Sequence, residues 1–183
     1  MTTIGIFFGS DTSNTRKIAK QIADHFGELA AKPVNINKAS AADLAAYDYL
    51  ILGTPTLGEG QLPGMGANCG GESWEEFMPQ FDDLDLAGKK VALFGLGDQV
   101  GYPKQFANAL GELFDAVEGC GGEVVAPWPA TGYSFSASTA LLDDGQFVGL
   151  VLDQDNQREL TDSRLKSWLT SVAEAFELSV ATA

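Results

Sequence analysis

The stretch Ile4-Gly5-Ile6-Phe7-Phe8-Gly9-Ser10-Asp11-Thr12-Ser13-Asn14-Thr15 passes from an apolar run into a hydroxyl-rich loop. Directly behind it, residues 14–26 set Ile18, Ile22 and Phe26 on one stripe of a helix. A short apolar run without alternation, closed by turn-forming residues, predicts a strand buried on both faces. Residues 49–52 before Gly53-Thr54-Pro55 and 91–94 before Gly95-Leu96-Gly97 repeat the pattern, with weaker versions at 34–36 and 123–126. Helical periodicity fills the intervals at 40–46, 73–81, 106–117 and 161–176. Strands alternating with helices predict right-handed crossovers and a doubly wound α/β three-layer sandwich around one parallel sheet. At 183 residues, with no linker or internal repeat, the chain is expected to be a single domain spanning 1–183.

Composition narrows the function. Eleven Lys and Arg against 25 Asp and Glu give a formal net charge of −14. Such a field repels phosphate backbones and anionic lipid, so neither nucleic acid nor membrane is an expected partner, whereas a basic protein surface is attracted. Cys69 and Cys120 belong to no metal-ligand spacing, and no metal site is expected. The N-terminal segment has no basic flank and no apolar run nears the length of a membrane span, so a cytoplasmic protein is expected.

Open α/β sheets bind ligands at the carboxyl ends of their strands. Ser10-Asp11-Thr12-Ser13-Asn14-Thr15 joins four hydroxyl side chains to a helix start with its unpaired N–H groups, an anion site of neutral donors. The same residues also serve as ordinary helix caps. No GxxxxGK[ST] and no GxGxxG follows the strand. The other two ends, Gly53-Thr54-Pro55-Thr56-Leu57-Gly58 and Gly97-Asp98-Gln99-Val100-Gly101-Tyr102, pair pliant backbone with Leu57 and Tyr102. A flat ring fits between those two side chains, with loop amides at its polar edge.

Taken together, these three loops resemble those of the flavodoxins, in particular the long-chain class, over essentially the whole sequence. Ser10–Thr15 is similar to the family's T/S-x-T-G-x-T loop with Ser13 in place of glycine. Thr54-Pro55-Thr56-Leu57 resembles the second flavin loop and Gly97–Tyr102 the third. The segment from about Tyr133 to Asp155 resembles the insertion that splits the last strand of long-chain members. The lengthened loop through Leu62-Pro63-Gly64 to Trp74-Glu75-Glu76 is similar to that of flavodoxins from nitrogen-fixing bacteria.

The resemblance implies a five-stranded sheet of order 2-1-3-4-5 and noncovalent FMN passing single electrons, with no substrate turned over and no catalytic residue. It implies a phosphate held by Ser10, Asp11, Thr12, Ser13, Asn14 and Thr15, and ring faces covered by Leu57 and Tyr102. Thr54, Pro55 and Thr56 would complete the second loop, and Gly97, Asp98 and Gln99 would meet the pyrimidine edge. Gly58 corresponds to the position whose peptide turns so that its carbonyl meets N5. A pyruvate- or NADPH-dependent reductase is the implied donor and nitrogenase reductase the implied acceptor, met by a monomer through basic faces. The acid balance would then oppose negative charge on the reduced ring, giving a strongly reducing second step. A flavodoxin-like NAD(P)H quinone reductase is the enzymatic alternative; His25, the single histidine, lies on the first helix rather than in a loop. Trp74, Trp128 and Trp168 are expected to pack rather than touch a ligand. Asp153 and Asp155 could approach the site, without the sequence placing them.

Overall fold

In the computed structural model, which describes residues 3–10 and 13–179, strands β1 (Ile4–Phe8), β2 (Val34–Asn35), β3 (Tyr49–Pro55), β4 (Lys90–Leu96) and β5 (Glu123–Val125) pair in parallel. Their order is β2-β1-β3-β4-β5, with a further strand, β8 (Leu150–Leu152), beside β4. This is the expected doubly wound order. Alternation within each strand divides the interior into two layers. Ile4, Ile6 and Phe8 face α1 (Ser13–Phe26) and α5 (Thr161–Ala175), packing with Ile18, Ile22 and Trp168. Phe7, Leu50 and Leu52 face the other side, with Trp74 and Phe77 of α3 (Trp74–Phe77) and Leu110 and Leu113 of α4 (Asn108–Gly119). The short α2 (Ala41–Ala45) starts on Ser40, whose Oγ accepts from the Asp43 amide while the Asp43 carboxylate accepts from Ser40 N.

Several boundaries depart from the sequence reading. Strands β3 and β4 run on through the glycines expected to end them, because those glycines make room for neighbours: a Cβ on Gly53 would strike the Phe94 ring and one on Gly95 would press on Leu110. The helix expected over 73–81 is α3 followed by a 3-10 turn, Met78–Asp83, with Pro79 in its first turn, where a residue lacking an N–H cannot carry on the α-helical hydrogen bonds. Helix α4 starts two residues after the expected Phe106, since Ala107 is left-handed at φ +55° and Phe106 N donates to Ala137 O.

The last strand is split as expected, with different edges. The chain leaves after Val125 and returns at Leu150, so β5 pairs Lys90–Ala92 of β4 and β8 pairs Phe94–Leu96. The excursion carries a small antiparallel ladder, β6 (Trp128–Pro129) with β7 (Gln146–Phe147), turned by Gly145 at φ +83°. Among the described residues no helix is long and apolar enough to cross a membrane.

Candidate functional site

The carboxyl ends of β1, β3 and β4 lie side by side, with Phe8 opposite Gly53 and Thr54 opposite Gly95. The three hydroxyl-rich or glycine-rich loops therefore leave the sheet at one edge. Asp11 and Thr12 lie outside the described residues; the rest of the first loop runs into α1 at Ser13. Ser13 is exposed, Asn14 half-buried and Thr15 buried, so the helix start opens toward solvent with its first N–H groups. Beneath it, Gly9 N and the Trp74 indole both donate to Gly53 O, at 2.9 and 2.8 Å. A Cβ on Gly9 would come within 2.7 Å of Ser73 Oγ and 2.8 Å of Trp74 Nε1. Trp74, fully buried, is thus packing, as expected, and it supports the ends of two site strands at once.

The second loop is a tight return. Leu57 N donates to Gln61 O at 2.9 Å and Gln61 N to Leu57 O at 2.7 Å, closing a turn with Gly58 at φ +48° and Gly60 at φ +96°. Both glycines occupy the left-handed region that side chains avoid, and Gly58 is exposed at the tip. Leu57 is half-buried at the shoulder. Thr54 is buried and donates to Pro55 O, and Thr56 Oγ1, in the loop after β3, accepts from Ala109 N at 3.2 Å, capping the start of α4.

The third loop curls around the Asp98 carboxylate, which accepts from Val100 N at 3.1 Å, Gly101 N at 2.7 Å and Asn156 Nδ2 at 2.8 Å. Those bonds, the Gly101 amide foremost, hold the Asp98 carboxyl below the usual aspartate range. Gly97 N donates to Leu152 O, and Tyr102 N to Asp98 O, which presents the Tyr102 ring 42% exposed beside the more exposed Val100. Gln99, one of the residues whose surrounding amides the resemblance set at a ligand's polar edge, is itself turned inward. Gln99 N and Nε2 both donate to Asp153 Oδ2, at 3.1 and 2.8 Å, and Gln99 Oε1 accepts from Ser134 N.

Asp153 is fully buried at the end of β8, and its other oxygen accepts from Asp155 N and Asn156 N. Oxygens of Asp98, Asp153 and Asp155 lie within 4.8 Å of one another. Burial first, then the charges of Asp98 and Asp153, pushes the Asp155 carboxyl above its usual range. This grouping carries the main new information: the sequence named Asp153 and Asp155 without placing them, and it did not single out Ser134, Asn156 or Gln61 at all. Their signal is positional, at loop edges and after a buried strand, and it becomes visible only once β8 is seated against β4.

Other candidates fall away from the loops. His25 is exposed on the last turn of α1, edge-on to Phe26 at 5.0 Å, with its pKa lowered by partial burial. Trp168 is fully buried and its indole donates to Ala126 O; Trp128 donates to the Tyr133 hydroxyl. The pairs Asp82-Asp83 and Asp143-Asp144 are exposed turn carboxylates.

The profile of the flavodoxin family matches residues 6–168. A flavodoxin of Klebsiella pneumoniae is 58% identical over 172 residues, which covers 94% of this chain and 97% of that protein. Flavodoxin 1 of Escherichia coli K12 is 45% identical over 178 residues, 97% of each chain. Among solved structures, a Fusobacterium nucleatum flavodoxin bound to flavin mononucleotide superposes with a TM-score of 0.84 at 30% identity, covering 96% of this chain and 99% of its own.

Proposed function

The chain belongs to the flavodoxin family, and from that premise we propose that it is a low-potential one-electron carrier holding FMN noncovalently, acting as a single domain and a monomer in the cytoplasm. Proteins of this family carry electrons and are not enzymes, so the quinone-reductase alternative is set aside. The observation that carries the reading is the meeting of three donor-rich loops at one sheet edge with a group of carboxylates behind the third.

The residues fit the cofactor chemically. Bound flavin supplies a planar ring that takes up electrons one at a time. Ser10, Asp11, Thr12, Ser13, Asn14 and Thr15, with the N–H groups and positive end of α1, would hold the phosphate dianion. Leu57 and Tyr102 would cover the two ring faces and keep water from them. Thr54, Pro55 and Thr56 carry Leu57 into place, and Gly97, Asp98 and Gln99 shape the backbone at the ring's polar edge. Gly58, already at positive φ and exposed, can turn its peptide to offer a carbonyl at low cost.

Asp98, Asp153 and Asp155 set the electrostatics. A carboxylate group beside a water-poor cleft disfavours further negative charge there, so the second electron enters at a lower potential than the first. Each 1.4 kcal/mol of that penalty is about 60 mV for a one-electron step. The net −14 charge draws in partners with basic faces, a reductase as donor and nitrogenase reductase as acceptor, in fast, weak, salt-sensitive encounters.

The test begins with the purified protein's spectrum and a redox titration. The expected protein is yellow, holds one FMN per chain, and gives two one-electron steps with the second well below the first. A colourless protein that cannot be loaded with FMN overturns the cofactor, and a second step above the first overturns the electrostatic argument. For partners, electron-transfer rate to nitrogenase reductase should fall steeply as salt rises toward molar levels, and a flat response rejects charge steering.

A further inference from the structure

Away from the flavin loops, the flank formed by α1 and the β2 edge reverses the charge of the rest of the molecule. Residues 13–38 hold Arg16, Lys17, Lys20, Lys32 and Lys38 against only Asp24 and Glu28, in a chain with 11 cations in all. Four of these cations, Arg16, Lys20, Lys32 and Lys38, stand around one groove of about 830 Å³. Among the described residues the single ion pair within 4.0 Å is Lys90 to Glu177, so no described carboxylate is in ion-pair contact with the four, although Asp24 lines the same groove. Four cations against one carboxylate leave an excess of positive charge at the groove, and an anion relieves the repulsion among them.

The floor differs from the rim. Ala31, Pro33 and Val34, all half-buried, give it an apolar surface above the buried Phe8, and the Arg16 guanidinium lies 5.9 Å from the Phe8 ring centroid. Strand β2 is the last strand on its side of the sheet, so its outer backbone groups have no neighbouring strand among the described residues. The groove therefore offers a small apolar bed, open backbone donors and acceptors along one wall, and cations at the mouth. Its volume falls in the range of small-ligand pockets, about 300–1,000 Å³, rather than resembling the broad surface of a protein interface. None of Ser10, Ser13, Leu57, Gly58, Asp98 or Tyr102 lines it.

We propose that this groove is a second ligand site, separate from the flavin cleft, that binds an organic phosphate of nucleotide size: a flat, weakly polar body on Ala31, Pro33 and Val34, and a phosphate among Arg16, Lys20, Lys32 and Lys38. The pairing follows from charge and shape together, since inorganic phosphate leaves the bed empty and an uncharged base leaves the cations unpaired.

The experiment uses FMN-saturated protein, which keeps added nucleotide out of the flavin cleft. ADP, adenosine and pyrophosphate are titrated separately at low salt while backbone amide chemical shifts are followed. ADP should move the Lys20, Ala31, Val34 and Asn35 amides, and adenosine and pyrophosphate should each bind at least about tenfold more weakly. Lys20→Glu and Lys32→Glu, both at exposed positions, should each weaken ADP by about tenfold while leaving the flavin spectrum unchanged. Lys166→Glu on α5 should leave ADP binding as it was. Groove amides that stay still at about 10 mM ADP overturn the site. Pyrophosphate binding as well as ADP reduces the groove to a diffuse anion field, and charge reversals without effect on ADP place the nucleotide elsewhere; either result also overturns it.

Discussion

The first and third loops leave the same sheet edge and are built in opposite ways. The first takes its character from neighbours in sequence: hydroxyl residues at a strand end followed at once by the start of α1. The third takes its shape from residues the chain supplies much later, since Asp153 fixes Gln99 from 54 positions away and Asn156 reaches Asp98 from 58. Ser134, in the excursion between β5 and β8, closes the same network on Gln99 Oε1. An anion cradle can be assembled locally because a helix terminus is itself the donor set. A loop that must present an aromatic ring at a fixed angle needs bracing from outside.

The largest effect should come from the support the first two loops share. Trp74→Ala removes a fully buried ring and its bond to Gly53 O, and about 3–5 kcal/mol of stability should be lost in urea unfolding. A loss under about 1 kcal/mol would show that the strand ends do not depend on it.

Asp153→Ala tests the outside bracing. It strands the Gln99 N and Nε2 donors, so about 2–3 kcal/mol of stability should disappear and FMN should bind more weakly through the loosened third loop. Ser13→Ala, at an exposed helix-start position, should weaken FMN while changing apoprotein stability by no more than about 0.5 kcal/mol. Equal stability losses in the two variants would erase the contrast between the loops.

Smaller again is Gly58→Ala, which places a β-carbon at φ +48° at a cost of about 1 kcal/mol and lowers the potential of the first reduction step by tens of millivolts in a redox titration. The smallest effect is a pH dependence. The Asp98 carboxyl is lowered by its Gly101, Asn156 and Val100 bonds, so its contribution is whole above the ordinary aspartate value and is lost as pH falls through the depressed folded value. Asp155 is raised, so its contribution has the opposite sign and acid relieves it. Asp98→Asn should therefore flatten the fall in urea midpoint between neutral pH and about pH 3, whereas Asp155→Asn should raise the midpoint at neutral pH.

Much of the fold was legible because parallel strands buried on both faces read as plain apolar runs, and β1 matched its expected limits. Errors arose where a residue's local meaning was overruled by a neighbour. Gly53 and Gly95 looked like strand ends and are spacers for Phe94 and Leu110. Ala107 gives no hint of a left-handed backbone, which is accompanied by the bond from Phe106 N to Ala137 O. The bonds from Gln99 to Asp153 were not legible either, because Asp153 follows a strand that rejoins the sheet only after the excursion.

The charge shows the same division. By itself the sequence determined the strand–helix alternation, the residue types of the three loops and a net charge of −14, because these depend on local chemistry and on a sum. Only the tertiary structure decided where the charge stands: Asp98, Asp153 and Asp155 gather behind the third loop, while Arg16, Lys20, Lys32 and Lys38 ring a groove on the opposite flank. Electrostatic effect falls with distance, and distances between residues far apart in the chain are set by how the sheet closes, which a sum of charges does not contain.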